Sequence, residues 1–228
     1  MQYQFPILEN LSPAWGRAIH LASRRQIAKG TVALGMGAAP DGVYFVQEGI
    51  LETILATHNG PEKVLYRVHH GCIFGEVCYS VGGPNEEVFV KARTDCTLYF
   101  FSRDTIEGQI AREHPELLLE MARVLGHIVR MYGVLLQDSL NLDFFVRVCR
   151  FLVYLVRFKG ADPAGLQVHI LVESGVTQGD LARLLGVHRV TVTKAVKKLK
   201  DQGVLRCFTK RELEITDFPR LLRLSEGG

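Results

Sequence analysis

The chain has 228 residues, 47% hydrophobic and 22% charged, close to globular averages and long enough to bury a core, which excludes disordered, collagen-like and low-complexity classes. Five scattered cysteines (Cys72, Cys78, Cys96, Cys149, Cys207) without a CxxC pair exclude a disulfide framework and a tetrahedral zinc site. The formal charge of +3 is unevenly spread: residues 144–228 hold 15 Lys/Arg against 8 Asp/Glu, and residues 1–143 hold 12 against 16. A basic end suits a polyanion and the acidic end a different task, although a solvated lysine-rich face fits the charge equally well. No apolar run approaches the roughly 18 residues of a membrane span. The N-terminal MQYQFPILENLSPAW lacks the basic-then-apolar order of a secretory signal. A cytoplasmic protein with no membrane partner is expected.

From Ile19 to Phe101, short apolar runs alternate with turn residues such as Gly49, Asn59–Gly60–Pro61, Gly71 and Gly82–Gly83–Pro84. The runs Val43–Val46, Ile50–Ala56, Lys63–Val68, Glu87–Ala92 and Thr97–Phe101 predict strands of an antiparallel sandwich or barrel. Asn59–Gly60 predicts a hairpin between two of them. The period then lengthens. Ser102 is placed to cap a helix running to Glu113, and Pro115 to open a second, longer one. On the latter, Leu118, Met121, Leu125, Ile128, Tyr132 and Leu135 recur at steps of 3 and 4, the seam of a two-stranded coiled coil and hence of a homodimer. The same spacing fits a helix buried against its own domain. Gly126 and Gly133 would allow backbones or a ligand to approach closely.

Asp138–Asn141 reads as a break, Asp143 as the cap of a helix from Phe144 to Phe158, and Val168–Val172 as a strand. Thr177 followed by Asp180 has capping-box form. It opens a short helix that Gly186 ends, and a second helix then runs from about His188 to Gln202 before Gly203. Val192, Val196 and Leu199 face inward, leaving Arg189, Val190, Thr193, Lys194 and Lys197 outside. Two helices about a glycine turn with a basic outer face predict a helix-turn-helix, whose second helix fits the major groove of duplex DNA. Arg189, Val190, Thr193 and Lys194 are expected to read bases, and Thr177, Gln178, Lys197 and Lys198 to meet phosphates. Val204–Phe208 and Leu213–Ile215 predict a hairpin wing with Lys210 and Arg211 at its tip.

This order of parts resembles the CRP/FNR family of bacterial transcription regulators. Phe74-Gly75-Glu76 with Val90-Lys91-Ala92 looks like the family's cassette for a cyclic-nucleotide phosphate. VTQGDLARLLGVHRVTVTK, from Val176 to Lys194, matches its helix-turn-helix without a gap. The resemblance implies an α+β fold in three parts. These are an antiparallel β-roll effector domain (1–113), a dimerisation helix and hinge (114–142), and a winged helix-turn-helix (143–228). It also implies a palindromic DNA site, RNA polymerase as a partner, and an effector pocket formed by Gly75, Glu76, Val77, Tyr79, Glu86, Glu87, Phe89 and Tyr132.

Departures from the family pattern narrow the effector. Where cyclic-AMP binders carry an Arg-Ser pair for the phosphate, this chain carries Glu86 and Glu87, which would repel it. Tyr132 and Gly133 stand where the family touches the purine with Thr-Ser. The expected effector is a small molecule other than cyclic AMP. The iron–sulfur cysteine cluster of the FNR branch is missing. Haem, or thiol-based gas or redox sensing, is the alternative, with His69, His70, Cys72 and Cys78 as candidate ligands. Arg189-Val190-Thr191 replaces the Arg-Glu-Thr of many relatives, and valine packs on a thymine methyl where glutamate accepts from cytosine. The segment His188–Thr193 looks most like the CprK branch, which senses chlorinated phenols and reads A/T-rich half-sites; an apolar or aromatic effector and A·T-bearing half-sites are therefore expected. No catalytic or metal site is assigned, because the histidines a cupin-like enzyme would need (His58, His69, His70) lie beside turns. A protein–protein adaptor would account for the seam but not for the basic outer face.

Overall fold

A computed structural model describes residues 6–35, 41–56, 62–81, 87–161 and 168–227. It comprises two compact units, Pro6–Arg130 and the residues from Met131 onward.

In chain order the first unit holds strands β1 (Ile7–Leu8), β2 (Ser23–Ile27), β3 (Val32–Leu34), β4 (Gly42–Glu48), β5 (Leu51–Leu55), β6 (Lys63–Val68) and β7 (Cys72–Phe74). Helix α1 (Glu76–Val81) and strands β8 (Val88–Ala92) and β9 (Cys96–Ser102) follow. One sheet has the order β1-β6-β5-β8-β3, with β1 parallel to β6 and the other pairs antiparallel. The other, β2-β9-β4-β7, is antiparallel throughout. The expected strands are thus present. Asn59–Gly60 lies outside the described residues, between strands that pair up to Leu55 and Lys63. Leu8, Trp15, Val46, Leu51, Ile54, Val68, Ile73, Leu98 and Phe101 are fully buried, and Trp15 meets Phe101 edge-on at 5.0 Å between ring centroids. Ser102 caps the next segment as expected, accepting from the Thr105 amide at 3.2 Å. The segment Thr105–Ile110 winds as a π-helix before α2 (Ala111–Glu113).

The long helix α3 runs Pro115–Asn141, through the residues expected to break it. Asp138 is buried and takes a charge-assisted bond of 2.6 Å from Arg150. Ser139 and Asn141 bond back to the carbonyls of Leu136 and Gln137, so the polar stretch stays helical. The break falls at Leu142–Asp143, where Asp143 accepts from the Phe145 amide at 2.7 Å and caps α4 (Phe144–Phe158).

The second unit continues with β10 (Ile170–Val172), α5 (Gln178–Leu185), α6 (Arg189–Asp201), β11 (Leu205–Phe208), β12 (Leu213–Ile215) and α7 (Phe218–Glu226). Its sheet has the order β10-β12-β11, antiparallel. Arg150 of α4 also donates to the Ser225 carbonyl at 2.8 Å, tying α7 to α4. Among the described residues no helix is long and apolar enough to cross a membrane.

Candidate nucleic-acid interface and effector site

The α5–α6 pair is built by local chemistry. Thr177 and Asp180 form a reciprocal capping box: the Asp180 amide donates to Thr177 Oγ1 at 3.0 Å, and the Thr177 amide donates to Asp180 Oδ2 at 2.9 Å. Such a cap stabilises a helix end by about 1 kcal/mol. Gly186 takes φ +67°, left-handed backbone that a side chain would strain. Arg147 of α4 donates to the Leu185 carbonyl at 3.0 Å, closing the end of α5 with a cation. Leu181, Ala182, Leu184 and Leu185 of α5 pack inward, as do Val192, Ala195, Val196 and Leu199 of α6. The opposite face of α6 is left open, with Arg189, Val190, Thr193, Lys194 and Lys197 all exposed.

The residues expected to meet DNA separate on this geometry. Val190 is 65% exposed, an apolar side chain on an otherwise polar face. Arg189, Lys194 and Lys197 form no ion pair among the described residues. Lys198 sets its ammonium over the Phe145 ring at 4.1 Å, a cation–π contact inside the unit. Thr177 is engaged within the protein. Its hydroxyl donates to Asp180 Oδ2 at 2.8 Å and its amide is bound to the same oxygen, so the cap consumes both donors a phosphate would need. Thr193 Oγ1 lies 3.0 Å from Gln178 Oε1 and 3.1 Å from the Arg189 carbonyl, a link between the helices that spacing alone does not reveal. At the wing, Lys210 and Arg211 are exposed, and the Lys210 carbonyl accepts from the Gly175 amide at 2.8 Å.

In the first unit, Gly75 at φ +91° turns the chain from β7 into α1. The Glu76 side chain is then buried, and neither carboxylate oxygen has a hydrogen-bond partner among the described residues. Burial pushes its pKa from 4.5 to about 7. Phe89 is buried and Val77 is 37% exposed. Tyr79 lies under the Arg103 guanidinium at 4.5 Å and donates to Glu107 at 3.3 Å, so its ring is engaged by the segment after β9. Glu87 is exposed, Glu86 lies outside the described residues, and Tyr132 is half-buried on α3. Of the candidate haem ligands, Cys72 is fully buried, accepts from the Leu11 amide at 3.3 Å, and has its thiol pushed up to about 12 by burial. Cys78 is half-buried, and burial also raises its pKa. His69 and His70 lie 3.9 and 3.3 Å from Glu9.

On α3, Ile128 of the expected seam is buried within the chain, while Leu118, Met121, Leu125, Tyr132 and Leu135 are less exposed than the positions that follow them. Leu117, Val124, Met131 and Val134 are buried as well. The exposed apolar side chains Leu119, Val129, Leu136 and Leu140, at 60–75% exposure, form a different stripe. With exposed Ala122, Gly126 and Gly133 they also recur at steps of 3 and 4.

Comparison with known proteins matches both domains that carry these residues. A model of the cyclic nucleotide-binding domain matches residues 24–113, and a model of the Crp-like helix-turn-helix domain matches residues 146–224. The chain is 27% identical over 195 residues to the CRP-like cAMP-activated global transcriptional regulator of Mycobacterium tuberculosis, covering 86% of this chain and 84% of that protein. It is 22% identical over 176 residues to the cAMP-activated global transcriptional regulator CRP of Salmonella typhimurium, covering 76% and 80%. Its fold is shared with CprK complexed with OCPA, at TM-score 0.81, 18% identity and 97% of both chains. It is also shared with a mutant of CooA from Carboxydothermus hydrogenoformans, at TM-score 0.78, 21% identity and 95% and 96% of the two chains. A cyclic-nucleotide-binding-type β domain, a long helix and a Crp-like helix-turn-helix, each matched in its place, show that this chain belongs to the CRP/FNR family of transcription regulators.

Proposed function

We propose that the chain acts as a homodimer that binds a palindromic, A/T-rich DNA site under the control of a small effector held in the β domain. The observation that carries this reading is the outer face of α6: a helix packed on one side against α5 leaves Arg189, Val190, Lys194 and Lys197 exposed together. Arg189, Val190 and Lys194 meet base edges, and Lys197 meets phosphate, joined by the α5 amides of Gln178 and Gly179, which the capping box leaves unbonded. Residues 1–113 serve as sensor, 114–142 as dimerisation helix and hinge, and 143–228 as the DNA-binding part. RNA polymerase is a further partner in this reading.

The dimer seam in this reading is Leu119, Ala122, Gly126, Val129, Gly133, Leu136 and Leu140, because those positions combine coiled-coil spacing with exposure in the single chain. The small residues at the middle permit close helix approach. An effector that donates hydrogen bonds would satisfy the Glu76 oxygens, and one without a phosphate would avoid Glu87. Selection of duplexes from a random library tests the reading. Two A·T-bearing half-sites one helical turn apart are expected, with no thermal stabilisation of the protein by cyclic AMP. An invariant G·C pair opposite Val190, or a saturable shift with millimolar cyclic AMP, would contradict it.

A further inference from the structure

Thr193 has one hydroxyl hydrogen and two oxygens within reach, Gln178 Oε1 at 3.0 Å and the Arg189 carbonyl at 3.1 Å. One hydrogen cannot serve both fully. Turning the Gln178 carboxamide by half a revolution about its last bond moves no heavy-atom position appreciably and resolves the conflict. Gln178 Nε2 then donates to Thr193 Oγ1, and Thr193 donates to the Arg189 carbonyl, the usual back-bond of a helical threonine. Every hydrogen has one acceptor.

From this hydrogen accounting we propose that the Gln178 side chain, as distinct from its backbone amide, reads an adenine base rather than a phosphate, and that Thr193 is the residue that positions it. In this assignment Thr193 takes the N–H that points away from Oε1. The remaining N–H and Oε1 form one edge of the amide, which matches N7 and the N6 amino group of adenine in the major groove. Gln178 is the first residue of α5, yet its amide is held against a side chain on the exposed face of α6, which brings it to the surface that faces bases. Thr193, its one hydroxyl hydrogen given to the Arg189 carbonyl, has no hydrogen left to donate to a base. The inference rests on the DNA-binding reading above and names one further base position within it.

Base preferences selected from a random duplex library by the full-length wild type, Gln178→Ala, Thr193→Val and Thr193→Ser are the test, together with affinities for a scrambled duplex. Wild type should select one adenine per half-site beyond the position opposite Val190. Gln178→Ala and Thr193→Val should both relax that same position, by roughly tenfold or more in discrimination. Thr193→Ser should keep it, and all three variants should bind the scrambled duplex as wild type does. A uniform weakening by Gln178→Ala across sequences, with a shallower salt dependence, would show a phosphate contact and overturn the proposal. So would an adenine preference that survives Thr193→Val. A wild type that binds no duplex at any salt concentration would instead overturn the DNA-binding reading itself.

Discussion

A carboxylic acid in apolar surroundings ionises at a cost, and Glu76 has no hydrogen-bond partner among the described residues to offset it. With its pKa raised by burial from 4.5 to about 7, the folded protein keeps a proton that the unfolded chain has already released between those values. Stability is therefore highest below pH 4.5 as far as this group is concerned, and falls as pH rises through 7. The penalty above pH 7 is on the order of 3 kcal/mol. Glu76→Gln removes it. In urea titrations the variant should match wild type at pH 4 and exceed it clearly at pH 8; an equal offset at both pH values would show that ionisation is not the cause. Val190 makes the complementary case on the DNA face, since it offers no acceptor and is 65% exposed. Val190→Glu should move the selected base opposite it from thymine towards cytosine, whose amino group a carboxylate accepts. An unchanged selection profile would place Val190 off the base edges.

Elements with strong local signals are legible in the sequence, and those defined by what covers them are not. The α5–α6 pair can be read because its stop signs are chemical: a threonine–aspartate box, Gly186 at φ +67° and Gly203 at φ +68°. β2, Ser-Arg-Arg-Gln-Ile, shows no alternation because four of its five residues are exposed, and β1 has only two residues, paired in parallel with β6. The run Asp138–Asn141 reads as a hinge because its polarity is local, whereas the Arg150 partner that holds it helical comes from another helix. On α3 two stripes share the 3-and-4 spacing, and sequence cannot say which one the chain's own core consumes. Ile128 of one stripe is buried, whereas Leu119, Val129, Leu136 and Leu140 of the other are exposed, and a test can separate the two. Val129→Glu, at 71% exposure, should dissociate the proposed dimer in light scattering while leaving the thermal midpoint of each chain's fold within a few degrees. Ile128→Glu, which places a charge at a buried position, should destabilise the fold itself, by roughly 3 kcal/mol or more. If Val129→Glu stays dimeric, the seam lies elsewhere.

The division of charge along the chain, basic from residue 144 onward and acidic before it, suits a helix-turn-helix part that meets DNA and an N-terminal part without net attraction to it. Affinity then depends on how many phosphates the basic part neutralises, and a dimer doubles that number. For duplex DNA the slope of log affinity against log salt changes by about 0.9 for each phosphate that is no longer neutralised. Lys197 is exposed and forms no ion pair among the described residues. Lys197→Ala should therefore reduce the slope by about 2 if two copies of the chain grip one site, and by about 1 if a single copy does. Lys198, whose ammonium is occupied by Phe145 at 4.1 Å, should change the slope much less when replaced by alanine. Lys194→Ala separates differently: as a base reader it costs about 1–3 kcal/mol on the selected site and little on scrambled duplex. Fluorescence anisotropy across a salt series on both duplexes measures all of these quantities together. A slope that Lys197→Ala leaves unchanged would remove the outer face of α6 from the phosphate backbone, whereas a change near 2 would count the protomers on the DNA without reference to the long helix.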